Sequence, residues 1–416
     1  MPITILALLP HYLPGYKSGG PVRSVENIVE RLGDPFTFLV VTRDRDQGDQ
    51  VAFPGVDPRR WYQVGKGRAI YLAPSSLRAM RRVIRGTPHD VLYLNSLFSP
   101  TFTLVPLLLR RLRAIPPAAV VLAPRGELHP GALETGDWHG LLPAGLAARL
   151  PAPRKLKKLA YIAVTRALGL FRGVTWQASN PEEAEQIRRH MGAKASVVVA
   201  PDLAKAPPTV PGDARDKPAG TLRVVWLSRI DGKKNLQAAI AALAGLKGQV
   251  GFDLYGPVDD DRYWSRCRAA LGRLPANVTA RYHGPVPHEW VPEVFRAHDL
   301  FLFPTWGENY GHVVPEALVQ GCPVLVSDRT PWRDLGEHGA GWVLPPEDVD
   351  AMRAVMQRCV DMSVEEYRAL SRSAAEYGRV RCLDEQPVHS TRELFYAASG
   401  HAGPPLPPRR ALAPHG

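Results

Sequence analysis

Two glutamates eight residues apart, Glu308 and Glu316, lie in the segment PTWGENYGHVVPEAL that runs from Pro304 to Leu318. Glu308 follows the apolar run Leu300 to Phe303 and reads as a loop residue, whereas Glu316 falls in the helix that comes next. That helix is otherwise Val, Val, Ala, Leu and Val, which argues against a purely solvated carboxylate. A carboxylate in such a setting needs hydroxyl partners, and a sugar or a ribose offers them in pairs. Between the two acids, Gly311 gives a flexible entry, and the backbone N–H groups of Gly311, His312 and Val313 lie at a helix start, where intrahelical acceptors are missing and an anion is favoured. Pro315 is tolerated there because it falls in the first turn.

Three further loops carry chemistry-bearing residues. In Ser228-Arg-Ile-Asp-Gly-Lys-Lys-Asn235, Arg229, Lys233 and Lys234 sit where a strand ends and a helix begins, which suits a pyrophosphate: Arg as a bidentate fork, Lys as a point charge. A solvated basic loop is the plain alternative. In the loop from His11 to Ser24, Gly19 and Gly20 precede a helix and let a ligand approach the backbone, although a tight β-to-α turn would need the same residues. The dinucleotide fingerprint G-x-G-x-x-G is absent, which disfavours a dehydrogenase. In Pro124-Arg-Gly-Glu-Leu-His-Pro-Gly131, Arg125, Glu127 and His129 follow a buried strand, and any of them could meet a substrate if the loop faces a cleft. Asp44-Arg45-Asp46 has the form of a divalent-cation site, and Asp259-Asp260-Asp261 is another acidic cluster. Both read as solvated loops, so no metal is expected.

The elements that must carry these loops alternate. Strand-length apolar runs at Ile3 to Leu9, Phe36 to Val41, Val91 to Leu94, Ala118 to Ala123, Val174 to Trp176 and Val197 to Ala200 are separated by amphipathic stretches such as Val22 to Leu32, Ser76 to Arg85 and Glu182 to Met191. Continuous apolar strands between helices predict a parallel sheet covered on both faces. Residues 202–220, rich in proline, read as a linker, after which the alternation restarts at Leu222. The expectation is an α/β chain of two doubly wound Rossmann-like domains facing a cleft, residues 1–201 and 221–383. A last helix over about 384–398 is expected to cross back to the first domain, and the proline-rich tail 400–416 to be disordered. Ligands then belong at the carboxyl ends of the strands, where all four loops fall.

Composition limits the function classes. The 416 residues are 45% hydrophobic and 22% charged, an ordinary soluble chain of two or three domains. The net charge of +12 is unevenly placed: 27 Lys+Arg against 14 Asp+Glu up to Ala200, and 25 against 26 beyond it. Acid-free basic stretches at residues 58–89 and 138–181 suit an anionic membrane surface. A solvated basic face is the simpler alternative. No recognisable nucleic-acid module accompanies the charge, so no nucleic-acid partner is expected. Cys267, Cys322, Cys359 and Cys382 form no C-x-x-C, which reads as a reducing cytosol. The apolar N-terminus lacks a basic n-region and a cleavage site and reads as a first strand rather than a signal peptide.

The four loops resemble those of the family 4 retaining glycosyltransferases of the two-Rossmann (GT-B) fold, over nearly the whole chain to about residue 398. The most specific element is Glu308-x7-Glu316 within GENYGHVVPEALVQGCPVLVSD, supported by GGPVRS, PRGEL, SRIDGKKN and SNPEEAEQI. The resemblance implies that Gly19 and Gly20 approach the donor phosphates and that Arg229 and Lys234 hold the pyrophosphate. It implies that Glu308 contacts hydroxyls of the transferred sugar and Glu316 the ribose, with Asn309, Tyr310, Gly311, His312 and Val313 lending backbone donors. Many members carry a histidine in the catalytic region where this chain has Arg125, as a subset with a P-R-G pattern does, and Ser228 replaces the usual glycine before the donor-site arginine.

The implied activity is a metal-independent, retaining glycosyl transfer from a nucleoside diphosphate sugar, a co-substrate rather than a cofactor, to a glycan or lipid-linked acceptor in cell-surface polysaccharide assembly. The expected location is the cytoplasm, peripheral at the inner face of the plasma membrane. Rival readings keep the fold but make the chain an epimerase or a phosphorylase-like enzyme, or take it as a basic nucleic-acid-binding protein.

Overall fold

The computed structural model describes residues 2–73, 77–129, 133, 153–207 and 216–401. The first domain is built on strands β1 (Ile3–Leu8), β2 (Phe36–Arg43), β3 (Tyr62–Val64), β4 (Gly67–Leu72), β5 (Val91–Leu94), β6 (Ala119–Leu122), β7 (Val174–Ala178) and β8 (Ser196–Val199). They form one sheet in the order β3-β4-β2-β1-β5-β6-β7-β8, parallel except for the β3–β4 hairpin at its edge. β1 reads ITILAL because both faces are covered, and its residues other than the half-buried Thr4 are buried.

Helix α1 (Gly20–Leu32) buries Val22, Val25, Ile28, Val29 and Leu32, the spacing of a single apolar stripe. It shares one face of the sheet with the last helix of the chain. Helices α2 (Leu77–Gly86), α3 (Val105–Arg111), α4 (Pro153–Ala167) and α5 (Pro181–Met191) cover the other, where Met80, Ile84, Leu107, Ile162 and Ile187 share one core.

The second domain comprises β9 (Thr221–Leu227), β10 (Gln249–Tyr255), β11 (Val278–Gly284), β12 (Leu300–Phe303), β13 (Val324–Ser327) and β14 (Gly341–Leu344). Its order is β11-β10-β9-β12-β13-β14, all parallel. Around it pack α6 (Leu236–Leu243), α7 (Asp261–Leu271), α8 (Val291–Arg296), α9 (Val313–Leu318), α10 (Val349–Asp361) and α11 (Val364–Leu383). Helix α12 (Gln386–Ser399) then leaves this domain and inserts Val388, Leu394 and Phe395 into the core of the first. Phe395 meets Tyr93 edge-on at 5.2 Å and Phe36 at 5.7 Å.

The chain therefore passes between domains twice, and Arg31 at the end of α1 touches both passages. Its Nη1 donates to Cys382 O at 2.9 Å and Ala204 O at 3.4 Å, and its Nη2 to Glu385 Oε1 at 2.7 Å. At the far end of the linker, the buried Lys217 donates to Thr221 O at 3.1 Å and Val360 O at 3.2 Å, tying residues 217–221 to the end of α10. The middle of the expected linker, 208–215, and the tail beyond residue 401 lie outside the described residues.

Two readings from sequence change. Residues 58–89 are not one basic amphipathic segment: they contain β3 and β4, and Ala69, Ile70, Tyr71 and Leu72 are buried in the sheet. The arginines there that form a solvent face are Arg78, Arg81, Arg82 and Arg85 on α2. The missed strand β14 begins at Gly341, whose lack of a side chain allows close approach to Val324; a Cβ would lie 2.2 Å from its carbonyl oxygen. Of the second basic stretch, residues 138–152 lie outside the described residues.

Candidate functional site

In the second sheet the strand order reverses between β9 and β12, so the loops after those two strands bound the crevice in which ligands of such sheets bind. They are the Arg229–Lys234 loop and the Glu308 loop, and they are bonded to each other. Trp306 N donates to Lys233 O at 2.9 Å, and Thr305 Oγ1 to the same carbonyl at 3.2 Å. Asp231 accepts from Lys234 N at 3.1 Å and caps a single 3₁₀ turn, after which Asn235 takes a left-handed φ of 57°. This double bend brings the Lys234 ammonium to the Glu308 carboxylate, with which it is ion-paired, the two side chains being 10% and 13% exposed.

Thr305 Oγ1 also lies 3.1 Å from Glu308 Oε1, so its single proton is shared between that carboxylate and the Lys233 carbonyl, and Phe303 lies under the ammonium at 5.4 Å. Burial works against the charge on Glu308, but Lys234 and Lys233 outweigh it and hold the carboxyl below the usual range. Lys233 moves the other way: burial lowers its ammonium, and although Glu308 opposes this, Lys234 and Arg229 add to the lowering. Arg229 is farther out, 2.8 Å from Asp259 and 4.0 Å from Asp231. The acidic cluster is thereby used within the fold, since Asp260 caps α7 by accepting from Tyr263 N at 2.9 Å.

The first domain faces these loops with the N-terminus of α1. Gly19 has φ 69° at the N-cap, and a Cβ on Gly20 would lie 4.0 Å from the His312 ring. The loop before them is anchored by Asp46, which accepts from Tyr16 N at 2.8 Å and Lys17 N at 3.1 Å, while Asp44 pairs with Arg45 at 2.8 Å. Ser24 Oγ and His312 Nε2 are hydrogen-bonded at 3.0 Å across the domains. Burial pushes the His312 imidazole down to about 4, against the pull of Asp202, so it is neutral at pH 7.

The remaining predicted residues divide by role. Asn309 O accepts from Asn180 Nδ2 at 3.2 Å, and its amide packs on Gly126, where a Cβ would lie 2.9 Å from Oδ1. Tyr310 belongs to the core beneath, its ring 5.4 Å from Trp332, whose Nε1 donates to Tyr310 O at 2.6 Å. Gly311 has φ 77°, and Val313 opens the six-residue α9.

Arg125 is engaged inside the first domain. Its guanidinium is ion-paired with Asp202, both side chains 5% exposed, and donates to Tyr93 OH at 2.5 Å and Asn95 Oδ1 at 3.0 Å. Arg125 and Gly126 are both left-handed, at φ 54° and 78°, and Glu183 accepts from Gly126 N at 2.6 Å to hold the turn.

Glu316 is 3.9 Å from His288 Nδ1, and burial raises its carboxyl to about 7 even though Arg23 and Lys205 pull it down. The folded state therefore keeps a proton that the unfolded chain releases near 4.5, and stability contributed by this group is full below 4.5 and is lost as pH rises through about 7. Glu316→Gln is expected to match the wild type near pH 4.5 and to exceed it in stability at pH 8. Denaturant melts at the two pH values check this, and a variant no more stable at pH 8 contradicts it.

Sequence reading missed Asp202, Ser24 and Asn180 as parts of this seam. Asn180 was legible as the N-cap of α5, with Glu182 and Glu183 in the first turn. Asp202 lay in a segment read as linker, and the buried neighbours Leu203 and Ala204 were its signal.

Residues 213–377 match the family model described as glycosyl transferases group 1. The match covers the second domain alone. It contains Arg229, Lys234, Glu308 and Glu316, whereas Gly19, Gly20 and Arg125 precede it. O-antigen chain mannosyltransferase B of Escherichia coli is 29% identical over 146 residues, 33% of this chain and 37% of that protein. Phosphatidyl-myo-inositol mannosyltransferase of Mycolicibacterium smegmatis is 29% identical over 139 residues, 32% of this chain and 34% of that one. The matched stretches thus span about a third of these relatives.

Solved structures match over nearly the full length. Sucrose-phosphate synthase from Thermosynechococcus elongatus superposes with a TM-score of 0.64 at 17% identity, covering 95% of this chain and 98% of that one. Anabaena HepE, solved in complex with UDP and glucose, gives 0.64 at 17%, covering 96% and 100%. The matched segment is therefore the second half of a two-domain GT-B fold.

Proposed function

We propose that the chain is a retaining glycosyltransferase that moves a sugar from a nucleoside diphosphate sugar to a glycan or lipid-linked acceptor in cell-surface polysaccharide assembly. The observation that carries this reading is the Lys234–Glu308 pair at the reversal point of the second sheet, opposite the Gly19–Gly20 terminus of α1. In this reading Arg229 and Lys234 take the pyrophosphate, so that cationic side chains do the work of a divalent ion, and Glu308 turns from Lys234 to the hydroxyls of the sugar. The bond from the anomeric carbon to the β-phosphate oxygen breaks, and its electron pair stays on that oxygen. The acceptor hydroxyl oxygen bonds the anomeric carbon on the same face, and its proton passes to the departing phosphate. The products are a nucleoside diphosphate and a glycoside of retained configuration. The names of the relatives support both halves of the acceptor class, an O-antigen chain and a phosphatidylinositol.

The same proposal places the protein at the inner face of the plasma membrane. Helices α2, α3 and α4 pack on the same core, and exposed arginines, Arg81, Arg85 and Arg113 among them, accompany exposed Leu77, Leu112 and Val164 on and beside them. Each cation near anionic headgroups contributes about 1 kcal/mol. Among the described residues no helix is long and apolar enough to cross a membrane.

A thermal-shift panel of uridine and guanosine diphosphate sugars tests the donor, because a ligand of the folded state raises stability with its affinity. One of them should stabilise the protein and be consumed with an acceptor; stabilisation by none removes the assignment. Vesicle sedimentation should favour anionic over neutral lipid, and equal binding to both removes the membrane placement.

A further inference from the structure

Ser24 stands just over one turn inside α1, the helix whose glycine terminus faces the donor loop. It is 2% exposed, yet it reaches the second domain, where its Oγ lies 3.0 Å from His312 Nε2. The same hydroxyl is hydrogen-bonded to Asp202, on the passage between the domains. Burial works against the charge of that carboxyl, but Arg125 leads the groups that outweigh it and hold it below the usual range. An ionised carboxylate only accepts, so the single Ser24 proton goes to Asp202 and the Ser24 oxygen accepts from His312. That assigns the imidazole proton to Nε2. The neutral ring is fixed in one tautomer by a relay that runs from Arg125 through Asp202 and Ser24 into the donor loop.

Other contacts along the seam are of a different kind. Arg333 and Glu182 are 3.3 Å apart but 64% and 62% exposed, a pair that water screens. Asn180 reaches only the main chain of Asn309. The Ser24 bond lies at the glycine terminus itself, since a Cβ on Gly20 would be 4.0 Å from the same His312 ring. The side chains assigned to the donor, Arg229, Lys234, Glu308 and Glu316, all belong to the second domain, so a nucleoside diphosphate can be held there without the first. Gly19 and Gly20 must be brought to it.

We propose that Ser24 is a positioning residue for the transfer step: its bond to His312 is a clasp that holds the glycine terminus of α1 against the donor loop and is exchanged for water when the domains part. This rests on the glycosyltransferase reading of the site. A hydroxyl and a neutral imidazole both find equivalent partners in water, so the net worth of the bond is small and the contact is reversible.

The test is a double-mutant cycle of Ser24→Ala and His312→Leu, read as kcat and as calorimetric affinity for UDP and GDP. Ser24→Ala should lower kcat by about 3- to 10-fold, the effect of one hydrogen bond, and leave nucleoside diphosphate affinity within about twofold. The double variant should lose no more than the worse single variant, because both remove one bond. His312→Gln, which keeps an N–H at a similar reach, should retain most of the activity only while Ser24 is present. Wild-type kcat in Ser24→Ala overturns the proposal and leaves the glycosyltransferase intact. Losses that multiply in the double variant overturn it, because the two residues then act separately. A parallel fall of nucleoside diphosphate affinity and kcat overturns it as well, since the damage would lie in the donor loop. If the wild type turns over none of the donors, the glycosyltransferase reading falls, and small-angle X-ray scattering decides the clasp alone. Ligand-free Ser24→Ala should then show a larger radius of gyration than the wild type, and equal radii overturn it.

Discussion

Lys234→Ala is expected to abolish glycosyl transfer, with at least about a 10³-fold loss of kcat, the scale of removing a preorganised charge from a developing anion. Two effects combine. On the proposed reading the pyrophosphate loses the less exposed of its two cations, since Arg229 is 38% exposed and already shared with Asp259. Glu308 loses the partner that most strongly offsets its burial, so its carboxyl rises towards the protonated form and becomes a poorer acceptor for sugar hydroxyls. Lys234→Arg should recover only part of the activity, because a planar fork does not replace a compact ammonium packed over Phe303. Steady-state kinetics with a melting curve for each variant measures this. Full activity in a folded Lys234→Ala protein would falsify the site assignment.

Asp202→Ala should produce the largest loss of stability. It leaves the Arg125 guanidinium charged at 5% exposure, with Tyr93 OH and Asn95 Oδ1 as its remaining hydrogen-bond acceptors among the described residues and Glu183 as a nearby charge. Breaking a buried pair from one side costs about 3–5 kcal/mol, whereas replacing both partners with apolar groups of similar size is often neutral. The double variant Asp202→Leu/Arg125→Met should therefore recover much of what the single variant loses in urea unfolding. If Asp202→Ala unfolds at the wild-type urea concentration, the pair is not structural and Arg125 returns to consideration as a substrate contact.

How much of this was readable in advance depended on whether the cause was local. Most of the second sheet was legible because β9, β12 and β13 are largely apolar runs between helices, β14 being missed, and Arg229, Lys234 and Glu308 could be placed because each lies in a loop that follows a strand. The hairpin β3–β4 was not legible: Tyr62 to Val64 is three residues long and half-exposed, and its basic flanks dominated the reading. The partners of Arg125 were hidden for a different reason. Tyr93 and Asp202 lie 32 and 77 residues away in sequence, and no spacing rule connects a guanidinium to a carboxylate across a sheet. His129 stood in view as one of three polar residues in a loop, but only the fold shows that its ring packs on Gly307 of the other domain.

The two passages of the chain between domains have a mechanical consequence. Because Arg31 grips Ala204 on one passage and Cys382 and Glu385 on the other, both crossings are pinned beside the same end of α1. Two pinned crossings make rotation about the line through them the relative movement that these bonds oppose least, like a door on paired hinges. Helix α1 is the lever arm: Arg31 sits at the axis and Gly20 at the cleft, about 17 Å away along the helix. Where α1 lies square to the axis, a turn of about 10° carries the glycine terminus through about 3 Å. That is the span between a hydrogen bond made and one broken. Cutting the chain within residues 208–215 would not release the domains, since the second crossing and the wedge of α12 still join them.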